Sequence, residues 1–215
     1  MSQLNLTNSV VLGVSHSTAT SDVRDALTLQ KQKGDDFSRQ ILEFSWCSEI
    51  VVLSTCNRTE IYAVVSVEPI EARVKLLREW CEFTRNSLSE VQHFTYFHAN
   101  SEAVRHLYRV VSSLDSLVVG EGQILGQVKV AFLRAQSKEF VQLYLNHLFQ
   151  SALALGKSVR SDTKINQGAV SIAYAAVELC KRILPDLSAH TATVLGAGEM
   201  GALSARHLKQ AGVNR

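Results

Sequence analysis

The sequence predicts an α/β chain, and three observations predict it. Short β-branched runs alternate with amphipathic stretches as far as residue 100. From residue 101 to 188 the apolar spacing is helical throughout. A fresh apolar run then opens at Thr191 and leads into a glycine-rich turn. The predicted parts are an α+β region over 1–100, a helical region over 101–188, and the opening of a second α/β unit over 189–215.

Bulk composition fits this plan. The 215 residues suffice for one large or two small domains. With 46% hydrophobic and 20% charged residues the chain is ordinary globular material. Only 2 prolines and 11 glycines argue against long linkers. A net charge of +2 does not mark a nucleic-acid binder. No apolar run approaches the length of a membrane span. The polar start, Met1 to Asn8, lacks a signal-peptide core and the arginine-rich character of a transit peptide. A cytoplasmic protein is expected, with plastid stroma as the alternative. Cys47, Cys56, Cys81 and Cys180 form no C-x-x-C pair, so neither a zinc site nor a thioredoxin-type pair is expected. Scattered free thiols suit a reducing compartment.

Val10–Val14 predicts the first strand. Ser21 is placed as the cap of a short helix from Asp22, and Asp35–Phe44 as a second helix with Phe37, Ile41 and Leu42 on one face. Ile50–Leu53 and Ile61–Val65 predict two more strands. Ile70–Phe83 predicts an amphipathic helix with Val74, Leu77, Trp80 and Cys81 inward, and Phe94–Phe97 a fourth strand. Four strands with intervening helices suit a ferredoxin-like split βαβ sheet. Ser101 is placed as the cap of the next helix, and Gly120-Glu121-Gly122 as its break. Ile124–Ser137, Phe140–Arg160 and Ser171–Leu184 predict three further helices.

Chemistry concentrates at the end of the second strand. Cys56, in Ser54-Thr55-Cys56-Asn57-Arg58-Thr59-Glu60, sits on a polar loop beside an arginine. A packing cysteine belongs inside the apolar run, whereas a nucleophilic one needs a polar, accessible, electropositive site to ionise. Arg58 could lower its pKa; an ordinary loop cysteine is the alternative. Cys47, Cys81 and Cys180 lie on apolar faces and read as packing residues. His93 and His98 read as loop positions, and His16 as a residue that could line the cleft of Cys56. Arg105, Arg109, Lys129, Arg134, Lys157, Arg160 and Lys164 read mostly as solvated faces.

The last segment carries a second motif. Thr191–Leu195 predicts a strand, Ala202–Gln210 a helix, and Gly196-Ala197-Gly198-Glu199-Met200-Gly201 between them is G-x-G-x-x-G. In that setting it predicts dinucleotide binding at the start of a Rossmann-type unit. The residue that selects the ribose falls about 20 positions on, past Arg215, so the chain reads as truncated.

A loop cysteine together with a dinucleotide motif suggests an acyl-enzyme reduced by hydride. Ser54–Glu60 (STCNRTE), Gly120–Val128 (GEGQILGQV) and Gly168–Leu179 (GAVSIAYAAVEL), with Leu114-Asp115-Ser116, resemble the signature stretches of glutamyl-tRNA reductases. The similarity runs from Val10 to Gly212. The resemblance implies NADPH-dependent reduction of glutamyl-tRNA to glutamate-1-semialdehyde, the first step of C5-route tetrapyrrole (porphyrin) biosynthesis. It implies Cys56 as the nucleophile that forms a thioester, and His106 as a histidine needed for activity. Thr55, Asn57, Arg58, Ser116, Glu121, Gly122, Gln123 and Gln127 match substrate positions. Gly196, Ala197, Gly198, Glu199, Met200 and Gly201 match the NADPH phosphate loop. The family also implies a homodimer in full-length members and an aminomutase partner that takes the aldehyde.

Two rival readings stand beside this one. A truncated chain is expected only to acylate or hydrolyse, or to serve as a module that binds glutamyl-tRNA or a partner without redox activity. A cysteine phosphatase needs an arginine six residues past the cysteine, and Tyr62 stands there.

Overall fold

A computed structural model describes residues 8–163, 165, 172–184, 186–196 and 198–214. Its first part runs β1 (Asn8–Ser15), α1 (Ser21–Ala26), α2 (Gln32–Leu42), β2 (Cys47–Ser54), β3 (Arg58–Val65), α3 (Pro69–Thr84), α4 (Leu88–Val91) and β4 (Tyr96–Ala99). The four strands form one antiparallel sheet in the order β2-β3-β1-β4. This is the split βαβ arrangement expected from the strand and helix pattern. β1 and β3 are buried along their whole lengths, and Val10–Val14 and Ile61–Val65 are the apolar runs within them.

Helices α5 (Ser101–Val111), α6 (Gln123–Ser137) and α7 (Leu143–Asp162) follow, and they share one apolar core with the sheet. Phe149 of α7 stacks on Phe132 of α6 and meets Tyr62 of β3 edge-on. Trp80, Phe37 and Leu76 fill the other side of the core and are fully buried. Helices α8 (Ile172–Ile183) and α9 (Glu199–Gln210) pack around a separate, smaller cluster of Val177, Leu187 and Val213.

Several boundaries differ from expectation. Thr20, not Ser21, precedes the first turn of α1, and Asn100, not Ser101, precedes α5. Helix α2 starts three residues before Asp35, and α7 starts three after Phe140. Phe94 lies in a 3-10 turn ahead of β4. Val74 is 50% exposed. It lies two residues from buried Ala72, about 200° around the helix, so it faces away from the stripe through Ala72, Leu76 and Trp80. Residues 191–195 form no strand among the described residues, and Leu195 is 94% exposed. A lone extended run has no ladder to satisfy its amides. Residues 1–7, Ser171 and the stretch 166–170 lie outside the described residues.

Candidate active site

The turn joining β2 to β3 is built by short polar side chains. Thr55 Oγ1 accepts from the amides of Asn57 and Arg58 at 3.2 Å each, and the Thr55 amide donates to the Arg58 carbonyl at 2.8 Å. Hydroxyls of this kind stabilise turns by capping local amides. The tip is tied from outside as well. The His16 amide donates to the Asn57 carbonyl at 2.8 Å, and Arg24 Nε donates to the Cys56 carbonyl at 3.3 Å. Cys56 sits on this fixed tip with its thiol free and exposed, whereas Cys47 and Cys81 are buried. Burial pushes the Cys47 thiol up to about 12 and raises that of Cys81, so neither is a nucleophile.

The pleat of β3 puts Arg58, Glu60 and Tyr62 on one face. Glu60 is fully buried and is the hub of a polar network. Its Oε1 accepts from Arg58 Nη1 at 2.6 Å and from the Tyr96 hydroxyl at 2.5 Å, and it lies 2.9 Å from His106 Nε2. Its Oε2 accepts from the Tyr62 hydroxyl at 2.6 Å. Burial alone would raise the Glu60 pKa; the Arg58 cation and the His106 hydrogen bond outweigh it and hold the carboxyl far below its usual range. Burial likewise opposes the charge on Arg58, and the Glu60 carboxylate more than restores it. Gly13 lies opposite both Glu60 and Tyr96 in the sheet register. A Cβ there would fall 2.8 Å from the Tyr96 ring and 2.9 Å from Glu60 Cγ, so the bare backbone lets Tyr96 reach across β1.

Helix α5 and the loop after it close the network. His106 stacks near Tyr96 and His98, with centroids 5.3 and 5.0 Å away. His106 Nδ1 lies 3.9 Å from the Asp115 carboxylate, which Arg109 grips at 2.6 Å. The Asp115 carbonyl accepts from Arg58 Nη2 at 2.5 Å. Two buried atoms nearby, His16 Nδ1 and Ser116 Oγ, have no hydrogen-bond partner among the described residues. Burial, then the neighbouring cations Arg58 and Arg24, lower the His16 pKa. Orphaned polar atoms beside a charged network are what a polar ligand would satisfy.

On the other flank of the turn a cleft of about 780 Å³ runs between α2, β2 and α6. Leu29, Val52 and Phe140 form part of its apolar lining, and Thr55, Cys56, Gly122, Gln123 and Gln127 line it too. The structure therefore brings five of the expected site residues into one cleft. Arg58 and His106 meet instead in the Glu60 network. Ser116 lies on the α5–α6 loop beside Asp115, and Asn57 forms part of the turn. Arg58, expected as a substrate position on the polar loop, is only 3% exposed and its charge is balanced by Glu60, so it is a buried, paired cation. The carbonyl of Glu121 is bound by Ser113 Oγ at 2.7 Å, and Gly122 precedes α6.

Sequence reasoning missed Glu60, Tyr96 and Asp115, and placed His98 in a loop although it lies on β4. The polar alternation Arg58, Glu60, Tyr62 inside an otherwise apolar strand was the available clue.

The glycine-rich turn fits its motif in part. Gly196 has φ +109°, the positive region that a tight turn assigns to glycine. A Cβ on Gly201 would fall 2.4 Å from the Gly196 carbonyl, so only glycine allows that close approach. Gly198 precedes α9 in extended conformation. Ala197 and the side chains of Glu199 and Met200 lie outside the described set.

Comparison with known proteins agrees with this layout. The family model for the glutamyl-tRNAGlu reductase N-terminal domain matches residues 12–163. The chain is 43% identical over 203 residues to a glutamyl-tRNA reductase of Desulfovibrio desulfuricans, covering 94% of this chain and 46% of that protein. It is 43% identical over 206 residues to one of Shewanella amazonensis, covering 95% of this chain and 48% of the relative. The solved glutamyl-tRNA reductase of Methanopyrus kandleri superposes with a TM-score of 0.66 at 37% identity, covering 96% of this chain and 47% of that one. The chain thus spans about half the length of the relatives it matches. An exposed cysteine on a braced turn, the polar network beside it and these matches lead to one assignment: the chain belongs to the glutamyl-tRNA reductase family.

Proposed function

We propose that this chain carries the acyl-transfer site of a glutamyl-tRNA reductase, with Cys56 as the nucleophile. The carrying observation is the exposed Cys56 thiol on a tip tied by Thr55, His16 and Arg24, at the edge of a cleft. As thiolate, Cys56 attacks the carbonyl carbon of the glutamyl ester. The C–O bond to the tRNA ribose breaks, a thioester forms, and the departing ribose oxygen takes a proton. His106, held by Glu60, is the group assigned to polarise the carbonyl or to move that proton. Thr55, Asn57, Gly122, Gln123, Gln127 and Glu121 frame the acyl group. Ser116 supplies an O–H donor towards glutamate's polar groups, while Arg58, paired with Glu60, holds in place the carboxylate that anchors His106. Bound NADPH would supply the hydride that converts the thioester to glutamate-1-semialdehyde. Gly196, Gly198 and Gly201, with Ala197, Glu199 and Met200, are the residues to hold its phosphates, at the amino end of α9.

The second activity to be distinguished is acylation followed by slow hydrolysis, with little reduction. Incubation with glutamyl-tRNA and NADPH separates the two, because only reduction yields aldehyde. The assignment of Cys56 itself is tested by Cys56→Ser. We expect label from [14C]glutamyl-tRNA to be trapped on the wild-type chain and not on the variant. Equal labelling of both would reject the nucleophile.

A further inference from the structure

Arg160, in the last turn of α7, is the group that the reading above does not use. It is half-buried, yet no carboxylate among the described residues lies within ion-pair distance of it. Its guanidinium is spent on neutral acceptors instead. Nη1 donates to the carbonyls of Val111 at 2.8 Å and Gly156 at 2.9 Å. Nη2 donates to Ser113 Oγ at 2.8 Å and to the Glu121 carbonyl at 3.2 Å. Val111 closes α5, and Glu121 lies two residues ahead of α6. One side chain from a third helix therefore holds both ends of the loop 112–122.

That loop is the one that must be held. It carries Asp115, whose carbonyl anchors Arg58 and whose carboxylate faces His106. It carries Ser116 with its orphaned hydroxyl, and it delivers Gly122 to the cleft. Its own conformation needs support, since Ser113 is fully buried at φ +59°. Ser113 Oγ also donates to the Glu121 carbonyl, so Arg160 completes a small cross-brace. The cation further faces the carboxyl end of α5, where carbonyls concentrate negative partial charge. Close contact of α7 makes the reach possible: a Cβ on Gly156 would fall 3.0 Å from the Val111 carbonyl.

We propose that Arg160 is a positioning residue for acyl transfer: it fixes the 112–122 loop so that Ser116 faces the glutamyl group and Asp115 keeps Arg58 seated against Glu60. This rests on the reading of Cys56 as nucleophile. Lysine keeps the charge but is a point donor and cannot span four acceptors.

Two measurements on Arg160→Lys and Arg160→Ala test it. Hydrogen exchange follows the brace directly. The amides of Gly120, Leu114 and Glu121, each bonded inside or at the edge of the loop, should exchange about tenfold faster in both variants, with the β1 and β3 amides unchanged. Glutamyl transfer follows the consequence. It should fall about tenfold or more, mainly through a higher KM, and discrimination against glutaminyl-tRNA should weaken. Alkylation of Cys56 by iodoacetamide should proceed at the wild-type rate. Unchanged loop exchange overturns the brace. Faster exchange with unchanged glutamyl transfer overturns the positioning role, and so does an equal fall in transfer and alkylation, which marks general loss of structure. Should Arg160→Ala fail to fold, Arg160→Lys decides on the same criteria. If the wild-type chain takes no glutamyl label, the Cys56 reading and the positioning role fall together, while loop exchange still decides whether the brace exists.

Discussion

At the scale of single residues, Glu60 carries the largest electrostatic consequence. Removing one member of a buried ion pair strands the other, a loss on the order of 3 kcal/mol. Glu60→Gln should therefore lower stability by about that amount and detach His106 from its anchor. The pH dependence follows from the depressed carboxyl. Its stabilising contribution is complete above the ordinary carboxylate range, near pH 4.5. It is lost as pH falls towards the much lower value in the fold. Denaturant melts from pH 7 to pH 3 should show a steeper acid loss in wild type than in Glu60→Gln. Parallel curves would show that Glu60 is not held ionised. The same network explains why Gly13 is glycine: the cross-strand reach of Tyr96 occupies the space a side chain would need.

Among secondary elements, the β2–α7 contact is the clearest dependency. Glu49 of β2 is buried, and its carboxylate accepts from the amides of Gln142 at 2.9 Å, Tyr144 at 2.9 Å and Leu145 at 2.7 Å. A strand residue thus caps the amino end of a 20-residue helix, where free N–H groups and the helix dipole favour an anion. Glu49→Ala should cost about 2 kcal/mol, which for a chain of this size lowers the melting temperature by roughly 4–8 °C. A change below about 1 °C in thermal melts followed by circular dichroism would remove Glu49 as the cap. Because α7 also carries Arg160, loosening its start has a route to the loop at its other end.

Over the whole molecule, stability is unevenly spread. One core takes in the sheet and helices α1 to α7, while α8 and α9 pack on a separate, smaller cluster that, among the described residues, has Val177, Leu187 and Val213 as its buried members. Regions with little buried apolar surface open at lower free energy. Native-state hydrogen exchange in low denaturant should find the α8 and α9 amides opening well before those of β1 and β3. Equal protection would mean the smaller cluster unfolds only with the main core.

The residue pattern alone determined the order of elements, the antiparallel-compatible four-strand plan and the exceptional setting of Cys56. Each of those depends on local periodicity and on where polar residues interrupt apolar runs. The glycine motif was legible for the same reason, since Gly196 and Gly201 act through their own backbone. Only the tertiary structure decided that Arg58 is buried against Glu60, that Tyr96 crosses β1 over Gly13, and that Arg160 is a brace and not a solvated cation. Tyr96 and Glu60 are 36 residues apart, and Arg160 and Ser113 are 47 apart. Such pairs carry no periodic mark in the chain; they exist because burial leaves each charge or hydroxyl with no water to turn to. The strand expected at 191–195 shows the converse: local propensity was present, yet among the described residues it forms no ladder, because a strand depends on partners that its own sequence does not encode.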